Sequence, residues 1–227
     1  SLRNKSIPFR FLTNTTTKTR REIREKLGSF GLLIDEKEIF SAAYIGINYL
    51  RSIGSPPCHL LIHDNIYSDY SEFDVHDRKP EFVVIGDRGN KWNYDDLNKA
   101  FRYLMEGAGL IALHKGRYFQ TLQGLKIDIG AIITGLEYSS GQTAICLGKP
   151  NPNFFQTALE DISIRSGKAI MVGDDLINDI GGAQRTGMKG VLVRTGKFRK
   201  SNLSHSDVKP DFIIESINEL EDILSLI

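Results

Sequence analysis

The sequence predicts an open, largely parallel α/β sheet with a smaller α/β unit inserted into it, and three observations carry that prediction. Short apolar runs rich in β-branched and aromatic residues recur along the chain, each stopping at polar residues. Helical patterns lie between them. The Ser55-Pro56-Pro57 break then separates off a middle stretch that repeats the same alternation on a smaller scale.

The runs cover residues 7–12, ending in Thr13-Asn14, and 143–147, ending in Gly148-Lys149. Residues 169–172 end in Gly173-Asp174-Asp175, 190–193 end in Arg194-Thr195-Gly196, and 212–214 make a last strand. None shows period-two alternation, as expected of strands buried on both faces of a parallel sheet. In 19–30, Ile23, Leu27 and Phe30 share a helical face, and Gly28 and Gly31 mark its end. Asn151 reads as an N-cap and Pro152 as a first-turn proline, followed by Phe155, Ala158, Leu159 and Ile162 on one face. After Asp179, a helix through Ile180, Ala183 and Gln184 stops at Gly187. Strand, helix and strand in repetition imply right-handed crossovers.

The middle carries strand-like runs at 60–62, 82–85 and 110–113. An amphipathic helix with Leu97, Ala100, Phe101, Leu104 and Met105 on one face lies between the last two. The expected division is a discontinuous main domain of residues 1–56 and 132–227, with residues 57–131 as the insert. Internal repeats and low-complexity tracts are absent from the sequence.

Composition narrows the function. Hydrophobic residues make up 41% of the 227 and charged residues 25%, and the net charge of +1 gives no electrostatic reason to expect nucleic acid or an anionic membrane as partner. No apolar run reaches the roughly 18–20 residues of a membrane span, and the N-terminus shows no signal-peptide core. Cys58 and Cys146 form no CxxC pair and read as buried thiols of a reducing, cytoplasmic setting. His59 and His63 lie in a strand-like stretch and do not point jointly at a metal. Walker A, GxGxxG, GxSxG and HExxH patterns are absent, which disfavours P-loop, Rossmann, α/β-hydrolase and zincin chemistry.

In open parallel α/β sheets, ligands bind beyond the carboxyl ends of the strands. The polar residues gathered there are Thr13 and Asn14, the ammonium of Lys149, and the carboxylates of Asp174, Asp175 and Asp179. A hydroxyl, a cation and carboxylates suit a phosphoryl group with a divalent metal. Each has an ordinary alternative. Thr13-Asn14 could be a helix N-cap, Lys149-Pro150 a solvated turn, and the 173–179 cluster a surface loop or helix start.

The segments FLTNTT (11–16), LGKPNPNFF (147–155) and MVGDDLINDIGGAQRTGM (171–188) resemble, in order, motifs II, III and IV of the haloacid dehalogenase (HAD) superfamily of phosphatases. The insert resembles that superfamily's C2 type of cap over a Rossmann-like core. The resemblance implies Mg²⁺ as cofactor and a small phosphorylated substrate. It gives Thr13 the phosphate-binding role, with Asn14 beside it, and Lys149 the role of steadying nucleophile and phosphoryl group. It gives Asp174 the metal, Asp179 the metal's water shell, and leaves Asp175 as a further metal candidate. In the insert, His114-Lys115-Gly116-Arg117-Tyr118 reads either as a cationic roof, with Lys115 and Arg117 on substrate, or as a solvated strand exit. Lys197-Phe198-Arg199-Lys200 reads as a solvated loop and 17–26 as a charged helix face. Pairing of two copies through the cap is a further expectation of the resemblance.

One motif departs. The superfamily's motif I, DxD, holds the nucleophilic aspartate and the general acid/base, tens of residues before motif II. Only twelve residues precede Thr13 here, none acidic, and the first is serine. The expectation is that motif I and its central strand lie upstream of this chain, and that the whole enzyme works through an aspartyl-phosphate. The alternative is a catalytically inactive protein that binds phosphate in a regulatory role.

Overall fold

The computed structural model describes residues 2–75, 78–121 and 123–225. It divides into two compact units, one of residues 1–119 with 125–148 and the other of residues 120–124 with 149–227.

In the first unit, β1 (Phe11–Thr13) pairs in parallel with β2 (Ile39–Ser41), so that Thr13 lies opposite Ser41. Between them runs α1 (Arg20–Gly28), whose capping box joins the Thr19 hydroxyl to the Glu22 N–H and the Glu22 carboxylate to the Thr19 N–H. Two otherwise unsatisfied helix donors are thereby used. The helix α2 (Ala42–Ser52) follows β2 directly, with Ser41 as its N-cap.

Next come β3 (Cys58–Leu61), α3 (Asp64–Tyr67), β4 (Phe82–Ile85), α4 (Tyr94–Met105) and β5 (Gly109–Ala112). After β6 (Tyr118–Thr121) and β7 (Gly124–Ile127), α5 (Gly130–Ser140) leads into β8 (Ile145–Cys146). These strands build a parallel sheet in the order β3-β4-β5-β8. Its core holds Leu61, Val83, Ile85, Leu104, Leu110 and Ile133, all nearly or fully withdrawn from solvent. Gly46 of α2 marks a close approach, since a Cβ there would run into Leu113 and the Tyr70 hydroxyl. That hydroxyl is buried and donates to the Ala43 carbonyl at 2.9 Å.

From Lys149 on, the second unit holds α6 (Pro152–Asp161), β9 (Ile170–Gly173), a π-helical stretch (Leu176–Gly181) and α7 (Gly182–Arg185). It ends with β10 (Lys189–Val193), α8 (Lys200–Ser204), β11 (Phe212–Ile214) and α9 (Leu220–Leu224). The strands pair in parallel in the order β11-β10-β9. Both faces of β10 are covered: Val191 and Val193 pack with Ile214 on one side, and Leu192 packs with Leu176 and Ile180 on the other. This explains the absence of alternation in its sequence.

The expected α/β class with parallel strands is what forms, and Asn151 caps α6 with Pro152 in its first turn. Several details differ. The 143–147 run, expected in the main sheet, extends the β3-β4-β5 sheet instead, and the Leu147 N–H to Ala112 carbonyl bond at 2.9 Å prolongs that ladder. The expected border at 131/132 falls inside α5. The helix expected after Asp179, from Ile180, starts four residues earlier at Leu176, because Asp175 caps it.

Near the chain start, Arg3 and the Asp35 N–H both bond to the buried Glu38 carboxylate, at 2.7 and 2.8 Å. Burial alone would raise the Glu38 pKa, but Arg3, the Asp35 N–H and the charge of Arg10 outweigh it and hold it below the usual range. A depressed carboxyl stabilises the fold above its unfolded pKa and loses that contribution as pH falls through the folded value. Glu38→Gln is therefore expected to cost about 1 kcal/mol at pH 7 and progressively less as pH falls below the usual glutamate range, in urea unfolding across that range. In the same assay at neutral pH, Leu104→Ala is expected to cost about 2–5 kcal/mol from its cavity.

Candidate active site

Thr13 closes β1, and its hydroxyl turns back on Thr15, 2.8 Å from that hydroxyl, while accepting the Thr15 N–H at 3.2 Å. The turn holds the backbone at the strand's carboxyl end. Beyond it, the buried Thr16 hydroxyl accepts the Asp87 N–H at 3.0 Å and ties this loop to the exit of β4. Asn14 lies against Gly148: a Cβ on that glycine would sit 2.8 Å from Asn14 Oδ1 and 2.7 Å from His114 Cβ. Only glycine lets these segments approach so closely.

His114, at the exit of β5, is buried. Its Nδ1 accepts the Gly116 N–H at 3.2 Å, so the neutral ring carries its proton on Nε2, 3.8 Å from Asp128 Oδ1. Lys115 is already engaged, with its ammonium 2.5 Å from Glu137 Oε2. Burial pushes the Glu137 carboxyl up, but Lys115 and the Ala144 N–H together bring it below the usual range. Arg117 is exposed, and its carbonyl accepts the Asp128 N–H at 3.2 Å.

In the second unit, Lys149 and Asp179 form a buried pair at 2.6 Å, with 8% and 5% of their surfaces exposed. The other Asp179 oxygen accepts the Asp175 N–H at 3.2 Å. Gly173 makes room for this carboxylate, since a Cβ there would overlap it. Asp175 is the N-cap of the π-helical stretch: Oδ1 accepts the Ile177 and Asn178 N–H groups, while Oδ2 accepts the Asn178 amide at 2.8 Å and faces Lys197 Nζ at 3.4 Å. Burial raises the Asp175 pKa, yet the Asn178 bonds and Lys197 more than reverse it, leaving the carboxyl charged at neutral pH. Asp174 uses one oxygen, Oδ2, to accept the Lys197 backbone N–H at 2.6 Å.

The three aspartates thus differ in what they have left to offer. Asp175 is committed to its helix and Asp179 to Lys149, whereas Asp174 has one oxygen engaged. Among the described residues no group of three or more His, Cys, Asp or Glu side chains is arranged to hold a metal. Mg²⁺ keeps several waters and binds through one or two carboxylates plus substrate phosphate, so a single presented carboxylate fits it better than a full protein cage would.

Lys197 and Phe198 were expected in a solvated loop. Instead Lys197 bonds to Asp174 and Asp175, and Phe198 packs against the Leu176, Ile180 and Leu192 cluster. The sequence signal was available: a glycine after a strand end, followed two residues on by an aromatic. His59 is buried in β3 and His63 caps α3, so they occupy different roles. Burial pushes the Cys58 thiol up to about 12, which leaves no thiolate at neutral pH. No described helix is long and apolar enough to cross a membrane.

Carboxylates and a lysine thus lie beyond the carboxyl ends of parallel strands, and sequence comparison identifies the family in which this chain falls. A profile for haloacid dehalogenase-like hydrolases matches residues 1–76, and one described as HAD-hydrolase-like matches residues 146–220. The chain is 40% identical over 225 residues to phospholysine phosphohistidine inorganic pyrophosphate phosphatase of Homo sapiens, covering 98% of this chain and 82% of that protein. It is 38% identical to haloacid dehalogenase-like hydrolase domain-containing protein 2 of Rattus norvegicus, over 97% of this chain and 84% of that one. Among solved structures, 4-nitrophenylphosphatase from Thermotoga maritima superposes with a TM-score of 0.91 at 26% identity, covering 97% of this chain and 86% of that one. The p-nitrophenyl phosphatase from Archaeoglobus fulgidus gives 0.90 at 26% identity, covering 100% and 88%. This chain belongs to the haloacid dehalogenase-like hydrolase family.

Removing one member of a buried ion pair leaves the other charge uncompensated. Lys149→Ala is expected to destabilise the protein by about 3–5 kcal/mol in urea unfolding, while Lys149→Met with Asp179→Leu recovers most of that loss.

Proposed function

We propose that the protein hydrolyses a small phosphorylated substrate with Mg²⁺: a phosphomonoester, pyrophosphate or a phosphoamide. The observation that carries this reading is the buried Lys149–Asp179 pair beside Asp174, at the end of the β9 strand. An ammonium held in a withdrawn site at fixed orientation is poised for charge that grows during phosphoryl transfer rather than for ground-state solvation. The likeness to phosphatases over 98% of the chain supports the same chemistry.

Each residue then has a part. Asp179 fixes the Lys149 side chain at 2.6 Å, so that the ammonium keeps one position for the transferring phosphoryl group. For the first unit, the resemblance implies a phosphate-binding role for the Thr13 hydroxyl, pre-turned by Thr15, with Asn14 beside it. Asp174 would hold the cation, which would supply positive charge to the transferring group. Asp175 shapes the turn that sets Asp174 and Asp179 apart. The nucleophile in this reading is the motif I aspartate that the family resemblance implies. Its carboxylate oxygen bonds to phosphorus as the bond to the leaving group breaks, and water then cleaves the aspartyl-phosphate to release phosphate. Residues 57–131 serve as cap, with Arg117 as the cation available to substrate, because Lys115 is paired with Glu137.

Turnover of p-nitrophenyl phosphate by the full-length protein tests the proposal. Activity is expected to require Mg²⁺, to disappear with EDTA and to return on adding the metal back. Asp174→Asn is expected to lower kcat/KM by about 10²–10³-fold, a loss in the range of a removed transition-state contact. A full-length protein that binds phosphate through Lys149 yet turns over nothing would leave only phosphate binding.

A further inference from the structure

We propose that the loop leaving β10, residues 194–200, is a strap that positions Asp174. The Lys197 backbone N–H, brought in over Gly196, fixes one carboxylate oxygen and so aims the other at the cation. This rests on the reading of Asp174 as metal ligand given above.

The strap is closed on itself and anchored. The Phe198 N–H bonds to the Thr195 carbonyl at 2.9 Å, and Arg199 Nη1 donates to the Gly196 carbonyl at 3.1 Å. The Phe198 ring packs into the Leu176, Ile180 and Leu192 cluster, with the Arg194 guanidinium 5.9 Å from the ring centre. This cluster also supports the π-helical stretch that carries Asp179. Strap and aspartates are therefore referenced to the same apolar core.

Gly196 answers two demands together. Its φ of +53° is left-handed, and a Cβ there would overlap the Asp174 carboxylate. The chain turns against the carboxylate itself, which delivers the next N–H to Oδ2 at 2.6 Å. A solvated aspartate samples several rotamers. One oxygen held by a charge-assisted bond restricts that freedom and presents Oδ1 in one direction. The Lys197 ammonium is spent elsewhere, on Asp175. The positioning group is thus a backbone N–H that no side-chain truncation removes.

Two substitutions at adjacent positions separate these contributions. Mn²⁺ binding to the full-length protein is read by the free-ion electron paramagnetic resonance signal, beside the Mg²⁺ activation constant for p-nitrophenyl phosphate hydrolysis. Gly196→Ala is expected to weaken Mn²⁺ binding by about tenfold or more and to raise the Mg²⁺ requirement with KM for substrate unchanged. Lys197→Ala, which keeps the N–H, is expected to stay within about twofold of wild type. Gly141→Ala is the control: its φ is +72° and no atom lies within 4 Å of the added Cβ, so it carries similar backbone strain away from any carboxylate. Phe198→Ala loosens the strap without placing an atom near Asp174, and is expected to shift Mn²⁺ affinity in the direction of Gly196→Ala. Wild-type affinity in both Gly196→Ala and Phe198→Ala overturns the inference, as does a loss in Lys197→Ala equal to that in Gly196→Ala. If Asp174→Asn binds Mn²⁺ as tightly as wild type, the ligand reading fails and takes the strap with it. If Asp174→Asn abolishes binding while the strap variants are silent, the strap inference alone fails.

Discussion

The buried ion pair between Lys149 and Asp179 is the constraint on which the second unit's site depends. Two charges at 2.6 Å with almost no solvent cannot be separated cheaply, so each fixes the position of the other. Asp179 belongs to the π-helical stretch and Lys149 to the segment before α6, so the pair joins two helices at their starts. Gly173 is the consequence on the strand side, because any side chain there would occupy the carboxylate's place. The Asp175 N–H completes the arrangement by bonding the oxygen that Lys149 leaves over. A buried pair of this kind contributes little net stability against an apolar replacement. Its value is in orientation.

Around that pair the parallel topology does the sorting. Each parallel strand must return through a crossover, which leaves its carboxyl end opening into a loop that is free to carry polar residues. The β9 loop carries Asp174 and Asp175, and the β10 loop carries Gly196 and Lys197, so strands that are neighbours in register supply loops that touch. In the first unit the same rule places Thr13 at the carboxyl end of β1 and His114 beyond β5. Hydrophobic burial holds the strands, as the two covered faces of β10 show, and the chemistry sits where burial ends.

Features encoded by neighbouring residues were legible in the sequence, and features encoded by distant ones were not. Asn151-Pro152 announced the start of α6, since cap and first-turn proline act within three residues. The β10 strand was visible because both of its faces are apolar. By contrast, β2 and α2 adjoin without a turn, and the apolar stretch from Ile39 to Leu50 has neither a clean two-residue nor a clean helical period. The strand before Lys149 is visible in the sequence but its partner is not, since pairing with β5 depends on a residue more than thirty positions away. The candidate phosphate and metal residues stand out in the sequence by their positions at the ends of apolar runs. Which of the three aspartates is engaged depends largely on bonds between residues far apart in sequence, and Lys197 reads as solvated there because its decisive contact is a backbone N–H reaching back 23 residues.

The Lys115–Glu137 pair has a consequence for how the first unit meets a charged solute. A basic segment with two cations has, in effect, one, because the Lys115 field is cancelled locally by a carboxylate that stays ionised. What extends into solvent is the field of Arg117, which fades over about 8 Å at physiological ionic strength. Adding salt would leave the contact pair largely intact while shortening the reach of the arginine. Any attraction this segment exerts on an anion in free diffusion is therefore short-ranged and salt-sensitive, and it acts on the rate of encounter more than on the grip after arrival.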